Sequence, residues 1–223
     1  MPDAVADRRA RLVQARLYLV TDSRQHQGDL SEFLDAVLEA GVDIVQLREK
    51  DAEAGDLVRS GESFRRAADR HEALFIVNDR PDVALTVGAD GVHLGQNDLS
   101  PTRARRIVGD DLLIGLSTHS AAEFAAAPPD ADYLSAGPVY PTPTKPGRKA
   151  TGLEFIRAAA ALCVERVELR PWFAIGGIDT STIGAVLLAG AERIAVVRAI
   201  TEAKDAATAV RELIEQIAET TAP

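Results

Sequence analysis

One cysteine stands in the 223 residues, so no internal disulfide can form and the fold cannot rest on a disulfide framework; a reducing cytoplasm is the expected setting. That cysteine, Cys163, sits in Ala-Ala-Ala-Leu-Cys-Val, which predicts a buried helix residue rather than a nucleophile. Long apolar runs are also missing. Charges interrupt every one of them short of the roughly 18 residues that a membrane span takes. The first ten residues, MPDAVADRRA, carry acidic groups and no apolar h-region, so no secretory signal is expected. Positive charge is in deficit: 25 Lys and Arg against 34 Asp and Glu leave a formal charge of -9. Neutralising a nucleic-acid backbone needs clustered cations, so a nucleic-acid partner is not expected. An acidic enzyme with a few local basic side chains remains open.

The chain is long enough to bury one large core. Short apolar runs recur at residues 17–22 (LYLVTD), 43–48 (DIVQLR), 74–78 (LFIVN), 90–94 (DGVHL), 112–117 (LLIGLS), 132–136 (DYLSA), 172–175 (WFAI) and 192–197 (ERIAVV), each of the length of a buried parallel strand. Amphipathic or Ala-rich stretches separate them and carry helix-start signals. Asp29-Leu30-Ser31 precedes Glu32, Ser100-Pro101 opens Thr102 to Val108, and Asp179-Thr180-Ser181 opens Ile183 to Leu188. The final stretch, Ala203 to Ala218, places Val210, Leu213, Ile214 and Ile217 at helical spacing. Eight strand-helix alternations predict an α/β fold, a single (β/α)8 TIM barrel, with a doubly wound sheet as its competitor. Residues 1–15 are expected as a loose or helical N-terminal extension and residues 16–223 as the barrel catalytic domain.

Polar residues cluster where strands should end. With a period of two, Gln46 and Arg48 share an inward face near the C-terminal rim while Val45 and Leu47 pack under the helices. An inward Arg is costly unless paired, so Arg48 is either a ligand for substrate or a structural residue held by a buried carboxylate. Asn78-Asp79-Arg80-Pro81 ends the third strand, where Asp79 could cap the next helix. Ser100-Pro101 already supplies a cap for the helix after strand four, which leaves Asp98 without that task. Asp79 and Asp98 on adjacent strand ends suit Mg²⁺, which takes one or two carboxylates, waters and phosphate oxygens. His93 is expected inside the barrel, because no second His lies at ligand spacing. Ser117 could bond a phosphate, and His119 and Ser120 are ordinary helix-start types.

After the sixth strand comes a long connection, Gly137 to Gly152, with four prolines and the hydroxyls and charge of Thr142, Thr144 and Lys145. It reads either as a lid over phosphate or as a solvated basic loop. Gly176-Gly177 would let backbone N–H groups approach an anion, at the turn where barrel enzymes recurrently bind phosphate.

Six motifs in order, QLREK (46–50), ND (78–79), GVHLGQND (91–98), GLSTHS (115–120), GPVYPTPTK (137–145) and AIGGI (174–178), resemble the thiamine-phosphate synthase family over nearly the whole chain. The resemblance implies joining 4-amino-2-methyl-5-(diphosphooxymethyl)pyrimidine to a thiazole phosphate, with release of pyrophosphate, through a pyrimidine-stabilised carbocation captured by the thiazole nitrogen. It implies that Gln46, Leu47, Arg48, Glu49, Lys50 and Asn78 bind the pyrimidine diphosphate, that Asp79 and Asp98 hold Mg²⁺, and that Ser117 and Lys145 contact the diphosphate. Thr142, Pro143, Thr144, Gly177, Val197 and Arg198 would line the thiazole-phosphate site. Arg48, Lys145 and Ser117 would carry catalysis by stabilising the leaving group rather than by nucleophilic attack.

Two positions depart from the family's usual pattern, Arg198 in place of Ser and Arg193 in place of Gly, both assigned here to the stretch that closes the phosphate site. A thiazole tautomerase of the same fold, or a non-catalytic phosphate-ligand sensor, are the alternatives. Neither needs Asp79, Asp98 and Lys145 together. A homo-oligomer is compatible with the sequence.

Overall fold

The structure is a computed structural model and describes residues 2–142, 149–165 and 170–221. Eight parallel strands close into a barrel in sequence order: β1 (Leu17–Thr21), β2 (Ile44–Leu47), β3 (Leu74–Asn78), β4 (Gly91–Leu94), β5 (Leu113–Thr118), β6 (Tyr133–Ala136), β7 (Trp172–Ile175) and β8 (Ile194–Val196). β8 pairs back to β1, with Leu19 opposite Val196. The doubly wound alternative is excluded by that closure, since an open sheet leaves two edges.

Strand alternation divides the core in two. Val45, Leu47, Phe75, Val77, Val92 and Ile114 belong to the outer layer, packed against the helices. Ile44, Leu74, Ile76, Leu113, Tyr133 and Phe173 fill the barrel interior. The period of two that assigns Gln46 and Arg48 to the inner face therefore holds, because Ile44 beneath them is an interior residue.

Helices α2 (Leu30–Glu39), α3 (Ala54–Arg70), α4 (Pro81–Thr86), α5 (Pro101–Val108), α6 (Ala121–Ala125), α7 (Gly152–Glu165), α8 (Ile183–Leu188), the single turn α9 (Arg198–Thr201) and α10 (Ala206–Thr221) follow the strands, and α1 (Pro2–Gln14) precedes them. Ser100 caps α5 by accepting from Arg103 N, with Pro101 at the first helical position. Ser120 and Glu123 form a reciprocal box at α6: Ser120 Oγ accepts from Glu123 N, and Glu123 accepts from His119 N. Asp179 accepts from Ser181 N and Thr182 N ahead of α8. Asp29, expected to start α2, makes no cap bond; its carboxylate is held by Arg24 at 2.7 Å instead. Cys163 lies half-buried in α7, and burial pushes its thiol up, away from the reactive thiolate.

The extension is helical and closes the N-terminal end of the barrel. Leu12 and Ala15 are 2% and 1% exposed and join the interior cluster from below. Arg8 and Arg9 of α1 reach Asp90 and Asp132 at the starts of β4 and β6. The opposite, C-terminal rim is left open for chemistry.

Candidate active site

At the C-terminal end of β3 the chain turns sharply, with Asp79 at φ +61°. Its N–H donates to His93 O, so the turn is tied to β4. The capping alternative for Asp79 fails: α4 starts from Arg80 without a side-chain cap, and Arg80 pairs with Asp82. Asp79 instead lies within hydrogen-bonding reach of Asp98. Burial, and then the neighbouring Asp98 carboxylate, push the Asp79 carboxyl above its ordinary value, while Lys50 at 3.5 Å opposes them. Lys50, brought over from the loop that follows β2, is a protein cation beside these carboxylates. Asp98 Oδ2 also accepts from Gly95 N at 2.8 Å, which fixes the loop that presents it. Two facing carboxylates are a donor set for a hard divalent cation, and among the described residues no group of three or more His, Cys, Asp or Glu could hold a metal. Such an ion would complete its shell from water or substrate oxygens.

Beside the pair, a cavity of about 50 Å³ opens into the barrel, lined by Gln46, Arg48, Asn78, His93 and Ser117 among others. Gln46 is buried and donates to the Tyr18 hydroxyl at 2.6 Å. Among the described residues Arg48 forms no ion pair, so the reading of it as a structural Arg held by a buried carboxylate is not what the fold builds. Its charge is available at the rim. His93 is interior, as expected, with its Nε2 2.9 Å from Ser117 Oγ. Leu47 and Glu49 face elsewhere. The Leu47 side chain is in the outer layer, and the Glu49 carboxylate accepts from Ser23 N and Ser23 Oγ, tying the β1 loop to β2.

A larger cavity of about 240 Å³ occupies the β5–β8 side of the rim and includes Thr142, Gly176, Gly177, Val197 and Arg198. Ser117, Ser135, Ile175, Ala195 and Val197 line both cavities, so the two adjoin across a shared wall as a two-part site. The glycine pair is required by close approach: at φ +65° a Cβ on Gly177 would stand 2.8 Å from Tyr140 Cβ. Arg198 opens α9 and lies 3.9 Å from Glu202, half in solvent.

Arg193 is elsewhere. It precedes β8, at the N-terminal end of the barrel, where it donates to Val13 O beneath α1. A strand carries its first residue to one end of the barrel and its last to the other, so assigning Arg193 to the phosphate site is corrected. Pro143, Thr144 and Lys145 lie outside the described residues.

Residues 17–200 match the family described as thiamine monophosphate synthase. The chain belongs to the thiamine-phosphate synthase family. A thiamine-phosphate synthase of Streptomyces avermitilis is 52% identical over 219 residues, 97% of this chain and 99% of that protein. One from Thermobifida fusca is 55% identical over 207 residues, covering 92% and 93%. Among solved structures, thiamine phosphate pyrophosphorylase from Pyrococcus furiosus superposes with a TM-score of 0.83 at 34% identity, over 96% of this chain and 99% of that one.

Sequence reasoning passed over Tyr18, Tyr133 and Ser135, which share the interior with the family motifs. Their signal was present but faint. Each sits on the inward parity of a strand, where a polar side chain needs a partner, yet naming that partner requires the register of a neighbouring strand.

Proposed function

We propose that this chain is a Mg²⁺-dependent transferase that condenses 4-amino-2-methyl-5-(diphosphooxymethyl)pyrimidine with thiazole phosphate, giving thiamine phosphate and pyrophosphate. The observation that carries the reading is the facing pair Asp79 and Asp98, with Asp79 next in the chain to Asn78 of the smaller cavity, in a chain of this family. The smaller part takes the pyrimidine, with Gln46 and Asn78 as polar partners and Arg48 and Lys50 meeting the diphosphate. Asp79 and Asp98 hold Mg²⁺, whose charge would offset that developing on the departing pyrophosphate. Ser117 and Lys145 are the further donors to that leaving group, and with Arg48 they do the catalytic work. No nucleophile is required of the protein; its interior keeps water from the electron-poor pyrimidine carbon until the thiazole nitrogen reaches it.

The larger part takes the thiazole phosphate. Thr142, Pro143, Thr144, Gly177, Val197 and Arg198 form its walls, with the phosphate near the Gly176-Gly177 turn. Arg198 replaces the family's usual Ser and adds a cation to that pocket. Residues 16–223 act as the catalytic barrel and 1–15 as its extension. The partners are small molecules. Among the described residues no helix is long and apolar enough to cross a membrane, and the proposed setting is the cytoplasm.

The test is an assay with both phosphorylated substrates that follows thiamine phosphate and pyrophosphate together. Equimolar appearance of the two, lost on adding EDTA, is the expected result. Folded protein that yields neither product would overturn the reading and favour a thiazole tautomerase or a sensor.

A further inference from the structure

The barrel interior holds a hydrogen-bonded path whose middle members, Tyr18, Tyr133 and His93, the proposed reaction leaves unused. Gln46 Nε2 donates to the Tyr18 hydroxyl at 2.6 Å, and the Tyr18 and Tyr133 hydroxyls are 3.0 Å apart. The Tyr133 hydroxyl lies 3.2 Å from His93 Nδ1, and His93 Nε2 lies 2.9 Å from Ser117 Oγ. The path starts at one side chain of the smaller cavity and ends at another, after crossing from β2 through β1, β6 and β4 to β5. Gly115 makes it fit: a Cβ at that inward position of β5 would collide with both the Tyr133 ring and the His93 imidazole.

One direction of donation satisfies the whole path. An amide nitrogen donates and does not accept, so the Tyr18 oxygen accepts from Gln46. The Tyr18 proton then has the Tyr133 oxygen as its acceptor, and the Tyr133 proton goes to His93 Nδ1. The imidazole therefore carries its hydrogen on Nε2 and donates to Ser117 Oγ. Reversal would leave the Tyr18 proton without an acceptor on a side chain only 2% exposed, an arrangement that a low-dielectric interior penalises. Burial pushes both phenols upward, so each keeps its proton near neutral pH. Ser135 Oγ approaches Ser117 Oγ at 3.5 Å as a second donor. With its oxygen already accepting, Ser117 is left to direct its own proton toward the cavities that it lines.

We propose that His93 and Tyr133 are positioning residues that hold Ser117 as an obligate hydrogen-bond donor to the anionic leaving group of the substrate. A serine free to rotate would spend part of its time presenting lone pairs to that anion. The proposal rests on the synthase reading for the identity of the anion, but its structural half can be measured without substrate. In substrate-free protein, ¹⁵N NMR of the His93 imidazole, assigned by its loss in His93→Gln, is expected to show hydrogen on Nε2 and a bare Nδ1. Hydrogen on Nδ1 would overturn the assignment.

With the two substrates and Mg²⁺, Tyr133→Phe is expected to raise KM for the pyrimidine diphosphate about fivefold when Ser117 is present, and to leave it unchanged in a Ser117→Ala background. An equal rise in both backgrounds would mean that Tyr133 acts through packing alone and would defeat the proposal. Wild-type protein that makes no thiamine phosphate would instead defeat the functional reading, with the tautomer still measured.

Discussion

Aspartates stand at both ends of this barrel, and their surroundings differ. At the N-terminal end, Asp43 accepts from Arg16 N and Leu17 N, Asp90 from Phe75 N, Arg8 and Arg65, and Asp132 from Ile114 N and Arg105. Each sits just before an even-numbered strand and accepts from an N–H at or near the start of the strand before it. At the C-terminal rim, Asp79 and Asp98 face one another, with Lys50 at 3.5 Å as their cationic neighbour. Saturated carboxylates hold a fold together. Facing, under-neutralised carboxylates are the donor set that the proposed Mg²⁺ would use, so under that proposal the same residue type divides between stability and chemistry by its end of the strand.

The sharpest break in that comparison is expected from Asp98→Ala, which lowers turnover about a hundredfold or more in the Mg²⁺-dependent assay while leaving the melting temperature nearly unchanged. A tautomerase would keep its activity under the same substitution. Asp90→Asn is its counterpart at the other end. It strips Arg8 and Arg65 of a partner that is 3% exposed and is expected to cost about 3 kcal/mol in denaturant unfolding, with kcat of the folded protein little altered.

A smaller effect of opposite sign is expected from Asp79→Asn. A carboxyl whose pKa is raised on folding holds its proton more readily when folded. Its favourable contribution is complete below the unfolded value and is lost as pH rises through the folded one. Metal-free protein should therefore lose stability as pH climbs from about 4, and Asp79→Asn should remove that slope and stabilise the metal-free form at neutral pH. Mg²⁺ should raise the melting temperature of the wild type and not of the variant; an equal rise in both would place the cation elsewhere. Least of all, Arg193→Ala should leave KM for thiazole phosphate unchanged and cost under about 1 kcal/mol, because its contacts are with Glu192 and the Val13 carbonyl at the far end.

Much of the frame was legible before any coordinates. Eight apolar runs became eight strands with no end shifted by more than two residues, and Ser100-Pro101 capped its helix as its chemistry dictates. The inward parity of Gln46 and Arg48 followed from a period of two. Arg193 was misplaced because residues close in sequence at the two ends of one short strand serve opposite faces of the barrel. Asp29 does stand at the N-cap of α2, but its carboxylate bonds Arg24, five residues upstream, instead of the helix N–H groups. Leu47 and Glu49 fall within the QLREK motif, yet their side chains serve the outer core and the β1 loop.

By itself the sequence determined what is local and periodic: strand and helix identity, inner against outer parity, caps, and the set of polar residues at strand ends. Only the tertiary structure decided which of those residues meet. Lys50 reaches Asp79 from the end of the preceding strand, Asp98 faces Asp79 from the loop after the next one, and Tyr133 touches His93 across 40 residues of chain. Those meetings depend on strand register and barrel closure, which are set by the packing of the whole interior rather than by any segment of it.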